Sequence, residues 1–109
     1  MRVEVHYVDA CPHWRQARGL ARSVLDDVGR ADVPVECIPI RSERQALASA
    51  FAGSPTILVD GADVAGASGV VGVLACRVYA TARGPAGLPD RSLVEAAIRA
   101  AARIESGRD

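Results

Sequence analysis

Lysine is absent from this chain: all thirteen basic side chains are arginines, and thirteen acids balance them to a formal net charge of zero. With no excess of either sign there is no long-range field to draw in nucleic acid or an anionic membrane surface, and neither is expected as a partner. Long apolar runs are missing too. The longest weakly polar stretch, Ala67 to Cys76, falls well short of the roughly 20 residues that cross a bilayer, and small breakers interrupt it. No basic-plus-apolar leader precedes the first strand, so the expected location is cytoplasmic, where cysteines stay reduced unless they work by cycling. Aromatic residues make up only 4% of a chain that is 50% hydrophobic and carries twenty alanines. One domain is expected across residues 1–109, with a core of Val, Leu, Ile and Ala. The three cysteines, Cys11, Cys37 and Cys76, are an odd number, so a purely structural disulfide framework would leave one over. No HExxH, no paired CxxC and no Ser/His/Asp arrangement is visible, and Gly66, Gly69 and Gly72, with no lysine after them, match no nucleotide-binding loop. No cofactor and no metal are implied, and no feature speaks to oligomeric state.

What is present reads as alternating strands and helices. Arg2 to Val8 is β-rich, with apolar residues at Val3, Val5 and Val8. Trp14, Ala17, Ala21, Val24, Leu25 and Val28 follow the i, i+3, i+4, i+7 spacing of one buried helix face, which Gly29 ends. Val33 to Ile40 alternates and is β-branched, a second strand whose two prolines leave one side incompletely paired. Ser42 with Gln45 three residues on forms a capping box that opens a short helix with Ala46, Leu47, Ala50 and Phe51 inward, closing at Gly53. Thr56 to Val59 reads as a buried strand, and Asp60-Gly61 is a two-residue hairpin signal. The returning strand is either Ala62 to Ala65 or Val71 to Thr81, and the second is the better strand sequence. Gly66 to Gly72 then reads as a flap over the thiol or a plain loop, and Gly84 to Pro89 as a loop. Asp90 or Ser92 caps a last helix with Leu93, Ala96, Ala97, Ala100, Ala101 and Ile104 on its apolar face. The element order is βαβαββα.

One residue carries a chemical expectation. Cys11-Pro12 lies at the first strand-to-helix turn, and proline suits the first helical position because its φ is fixed and it has no N–H to leave unpaired. That would make Cys11 the N-cap, where free N–H groups and the positive end of the helix dipole favour an anion. Cysteine pKa values, about 8.5 when unperturbed, fall to roughly 3.5–7.5 at such positions. The expectation is a reactive thiolate, open to solvent or ligand, with His13 and Arg15 as further stabilisers and Asp9 opposing. His13 reads as a solvated residue or a general acid or base. Trp14 should pack beneath the turn, His6 is an ordinary strand residue, and Cys37 is inert core.

The element order, Cys11-Pro12 at that turn, and Ser54-Pro55-Thr56 opening the third strand together resemble the thioredoxin-like superfamily over nearly the whole chain. In its glutaredoxin branch the active site reads Cys-Pro-x-Cys; Cys11, Pro12 and His13 match, and Trp14 stands where the second cysteine would be. The resemblance implies an α/β three-layer sandwich around a central mixed four-stranded sheet. It also implies that Pro55 is the cis-proline beside the nucleophile, offering a backbone edge to the substrate, with Ser54 and Thr56 flanking it. The chain is similar as well to small bacterial thioredoxin-like proteins with a CPxW site, a GSPT segment and a late Cys-Arg-x-Tyr, here Cys76-Arg77-Val78-Tyr79. Some of those are labelled alkylmercury lyase.

Three functions follow as expectations. The first is a monothiol thiol-disulfide oxidoreductase acting on a disulfide or small thiol, in which Cys11 attacks and the mixed disulfide waits for another thiol, external or from Cys76 or Cys37. The second is a soft-metal or organomercurial protein in which Cys11 and Cys76 clamp the metal and Asp9 delivers a proton. The third is a non-catalytic binding module using the Pro55 edge. Arg77 and Tyr79 share a face of the expected last strand, where the arginine reads more plainly as an edge-strand residue in water but could hold a substrate carboxylate.

Overall fold

The computed structural model describes residues 1–49, 51–66 and 74–107. At its centre is β1 (Val3–Tyr7), with β2 (Val35–Pro39) parallel to it, Val3 opposite Val35. On its other side β3 (Thr56–Val59) runs antiparallel, His6 opposite Thr56, and β4 (Ala62–Asp63) completes a mixed sheet in the order β2-β1-β3-β4. A parallel neighbour needs a crossover, and α1 (Trp14–Asp27) supplies it. An antiparallel neighbour needs only a tight turn. Asp60 and Gly61, at φ 50° and 82°, provide the two left-handed residues of such a hairpin.

The helices sit on both faces. α1 buries Ala17, Ala21, Val24 and Leu25, and it shares a core with Val3, Val5, Ile57 and Val59 of the sheet and with α3 (Arg91–Ser106). Ile38 points the opposite way from Cys37 because strand side chains alternate. It packs with Val8, Ile40, Ala46 and Phe51 under α2 (Glu43–Ala48), a second core on the other face. Ser42 caps α2 as expected, its Oγ accepting the Gln45 N–H at 3.1 Å. Among the described residues no helix is long and apolar enough to cross a membrane.

Four expectations need correction. The returning strand is Ala62–Asp63, not Val71 to Thr81, because the two-residue turn brings the chain back against β3 at once. Tyr79–Thr81 (β5) instead pairs with Gly84–Ala86 (β6) as a separate hairpin, so Gly84 to Ala86 is strand rather than loop. Of the expected flap, Gly66 to Gly72, all but Gly66 lies outside the described residues. In α2, Leu47 is 66% exposed while Ala46 is buried; Ala50 lies outside the described residues. In α3 the buried residues are Val94, Ile98 and Ala101, whereas Leu93 and Ile104 lie at the surface. That helix carries two overlapping apolar stripes, and the core takes the one whose branched side chains fill more space against α1.

Candidate functional site

The chain leaves β1 at Tyr7 and turns through Val8 into Cys11, whose N–H donates to the Val8 carbonyl at 3.0 Å. α1 begins at Trp14 with His13 as its N-cap, and the His13 carbonyl accepts the Ala17 N–H at 3.0 Å. The helix mouth therefore lies two residues beyond Cys11, and Pro12 is in the preceding turn, not at the first helical position. The residue 8–11 turn closes first, and the chain must bend once more before the helix can start. One backbone amide still reaches the sulfur: the His13 N–H donates to Cys11 Sγ at 3.5 Å. Cys11 is only 5% exposed, so the expectation of a sulfur open to solvent does not hold.

The Ser54-Pro55 peptide bond is cis, and this segment meets the Cys11 turn directly. Ser54 Oγ accepts the Val8 N–H at 3.0 Å, and the Tyr79 hydroxyl donates to the Pro55 carbonyl. Thr56 Oγ1 accepts the Ala52 N–H at 3.2 Å and donates to the Gly53 carbonyl, which fixes the turn into β3. Burial pushes the Tyr79 phenol well above its ordinary pKa; the Arg77 guanidinium opposes that, while Asp63 and the Cys11 sulfur reinforce it. The phenol thus lies within electrostatic reach of Cys11. Arg77 sits 4.4 Å over the Tyr79 ring and pairs with Asp63 at 2.6 Å, with both side chains largely buried. Its charge is matched by Asp63 within the fold, and the side chain is not the solvated edge-strand arginine of the plainer expectation. These internal bonds fix Ser54, Thr56, Arg77 and Tyr79 in the fold around the cis-proline.

The Tyr79 shift has a pH consequence. A phenol whose pKa is raised on folding holds its proton more tightly in the native state than in the unfolded chain, where it titrates near 10. Its contribution is complete below about pH 10 and declines as pH rises toward the native value. Tyrosinate absorbance from Tyr79 should therefore appear together with loss of circular dichroism, and Tyr79→Phe, which leaves Tyr7 as the only tyrosine, should lack that component of the absorbance. Tyrosinate absorbance of Tyr79 rising like that of a free phenol in a fully folded protein would contradict this.

Trp14 stacks on Tyr7 with ring centroids 4.1 Å apart, and the Arg15 and Arg18 guanidinium groups lie 4.9 and 5.5 Å from its ring. His13 Nδ1 lies 3.2 Å from Gln16 Oε1, and its ring rests on Gly87, where an added methyl would stand 2.4 Å from the imidazole. Asp9, expected to oppose a thiolate, is bonded by Arg41 at 2.9 Å, and that bond holds its carboxyl below the usual range. Cys37 is half-buried on β2, and burial pushes its thiol up. Cys76 is exposed and forms an isolated parallel bridge with Ser54. Sequence reasoning missed Asp63 and Gly87, because each matters only through a contact between segments distant in the chain. Among the described residues no three His, Cys, Asp or Glu side chains are grouped to hold a metal ion. No protein-family model, no curated protein and no solved structure matches this chain.

Proposed function

We propose that this chain is a thioredoxin-like thiol-disulfide oxidoreductase of monothiol type, with Cys11 as the attacking thiolate. The observation that carries the reading is the meeting of three segments at one end of the sheet. The Cys11 turn is tied to Ser54 through the Val8 N–H, and Tyr79 closes the other side through Pro55. The strand order β2-β1-β3-β4, with β3 antiparallel and helices on both faces, supports the family resemblance.

In the reaction, the Cys11 thiolate attacks one sulfur of a disulfide RSSR. The S–S bond breaks, RS⁻ leaves and takes up a proton, and Cys11 carries the mixed disulfide. With Trp14 in place of a second motif cysteine, a separate thiolate R′S⁻ must attack the adduct, forming RSSR′ and returning Cys11 to the thiolate. The His13 N–H donates to the sulfur, a contact that supports the anion in this reading. The soft-metal clamp is a second reading: the Ser54–Cys76 bridge sets the Cys76 backbone beside the cis-proline segment, with its side chain exposed while that of Cys11 is buried. Its carbon–metal cleavage step fares worse, because Arg41 keeps Asp9 ionised and so removes the acid it needs.

The test is a timed reaction of the reduced protein with a small disulfide across pH, the adduct located by peptide mapping. A mixed disulfide on Cys11, absent in Cys11→Ser, is expected. Biological activity left intact in Cys11→Ser would favour a non-catalytic binding module instead.

A further inference from the structure

We infer that the Cys11 site selects small-molecule disulfides over disulfides carried by extended polypeptides, because the chain fills its own main-chain edge at Ser54. The inference rests on the oxidoreductase reading and names its substrate class. An extended polypeptide docks beside a strand by exchanging main-chain hydrogen bonds with an open edge. At Ser54 both groups are already used. Its N–H donates to the Ala75 carbonyl at 2.8 Å, and its carbonyl accepts the Arg77 N–H at 2.9 Å, with Cys76 alongside.

Three contacts anchor this segment. The Arg77 guanidinium is paired with Asp63 and is 5% exposed. The Tyr79 hydroxyl, two residues on, holds the Pro55 carbonyl. Gly53 lets the segment approach closely: a methyl group there would stand 2.9 Å from the Arg77 Cβ, and Gly53 itself is at φ 105°. Enclosure of the sulfur acts in the same direction, since Cys11 is nearly buried. A disulfide of a few atoms needs only to reach the sulfur. A polypeptide would have to displace residues 75–77 first.

Two probes test this on the intact reduced chain: bis(2-hydroxyethyl) disulfide, and an extended octapeptide whose one cysteine is capped by 2-mercaptoethanol. For the second, only the Cys11–peptide adduct, which expels 2-mercaptoethanol as the first probe does, is counted, by its mass. Rates of Cys11 modification, located by peptide mapping, are normalised to the rates of the same probes with free N-acetylcysteine. The small disulfide should react at least about tenfold faster, equivalent to about 1.4 kcal/mol, and Asp63→Asn, which loosens the Arg77 anchor, should narrow the ratio. Amide hydrogen exchange at Ser54 and Arg77 should be as slow as within β3. Equal normalised rates on the unaltered chain, or Ser54 and Arg77 amides exchanging like exposed loop amides, would overturn the selectivity while leaving the oxidoreductase reading in place. No reaction of Cys11 with either probe would instead remove that reading, and this inference with it. Should Asp63→Asn unfold, the exchange measurement on the unaltered chain still decides.

Discussion

Phe51→Ala is expected to lower folding stability by about 3–5 kcal/mol, measured by denaturant unfolding. Phe51 is completely buried and is the largest side chain in the smaller core, where Ile40, Ala46, Val8 and Ile38 surround it. These neighbours are small or held by the sheet, so the space left by the ring does not collapse and the void term adds to the lost transfer energy. A domain of this size is stable by about 5–15 kcal/mol in total, so the change removes a large share. It should be felt at the site as well, since Val8 both packs against the cluster that contains Phe51 and carries the N–H that ties the Cys11 turn to Ser54. A loss below about 1 kcal/mol would mean that α2 settles onto the sheet and fills the gap.

Asp63→Ala should be nearly as damaging, at about 3 kcal/mol, the low end for removing one partner of a buried ion pair. Arginine keeps its charge under all ordinary conditions, so the buried Arg77 guanidinium loses its carboxylate without any means of neutralising itself. The Tyr79 ring remains against it, and Asp63 itself is 12% exposed, which limits the effect. Thermal unfolding monitored by circular dichroism, compared with a surface control such as Asp26→Ala, gives the measurement. An equal shift in both variants would show that the Asp63–Arg77 pair contributes no more than an exposed one.

The elements set by local patterns were legible in the chain. Val3 and Val5 mark the central strand, the Ala17–Leu25 stripe marks α1, Ser42 and Gln45 mark the start of α2, and Asp60-Gly61 marks the hairpin into β4. Each of these signals is complete within a few residues. The errors arose where a choice between two adequate local patterns is made by distant partners. Leu74 to Tyr79 has strand composition, yet β4 already lies against β3, and among the described residues Cys76 forms a bridge to Ser54 in place of a strand ladder. Leu93 and Val94 both begin a plausible stripe on α3, and only packing against α1 decides between them. At the site, the motif drew attention to Cys11, Pro55 and Tyr79. It could not show that Asp63 matches the Arg77 charge, that Arg41 matches Asp9, or that Gly87 supports the His13 ring, since those pairings exist only once the sheet has assembled.

Trp14 is the chain's one tryptophan, and it lies three residues past Cys11, stacked on Tyr7. An adduct on the sulfur, or any shift of the turn that carries it, changes the surroundings of a single indole with no competing emitter of its kind. The protein thus contains its own optical probe of the thiol, readable as fluorescence without a label.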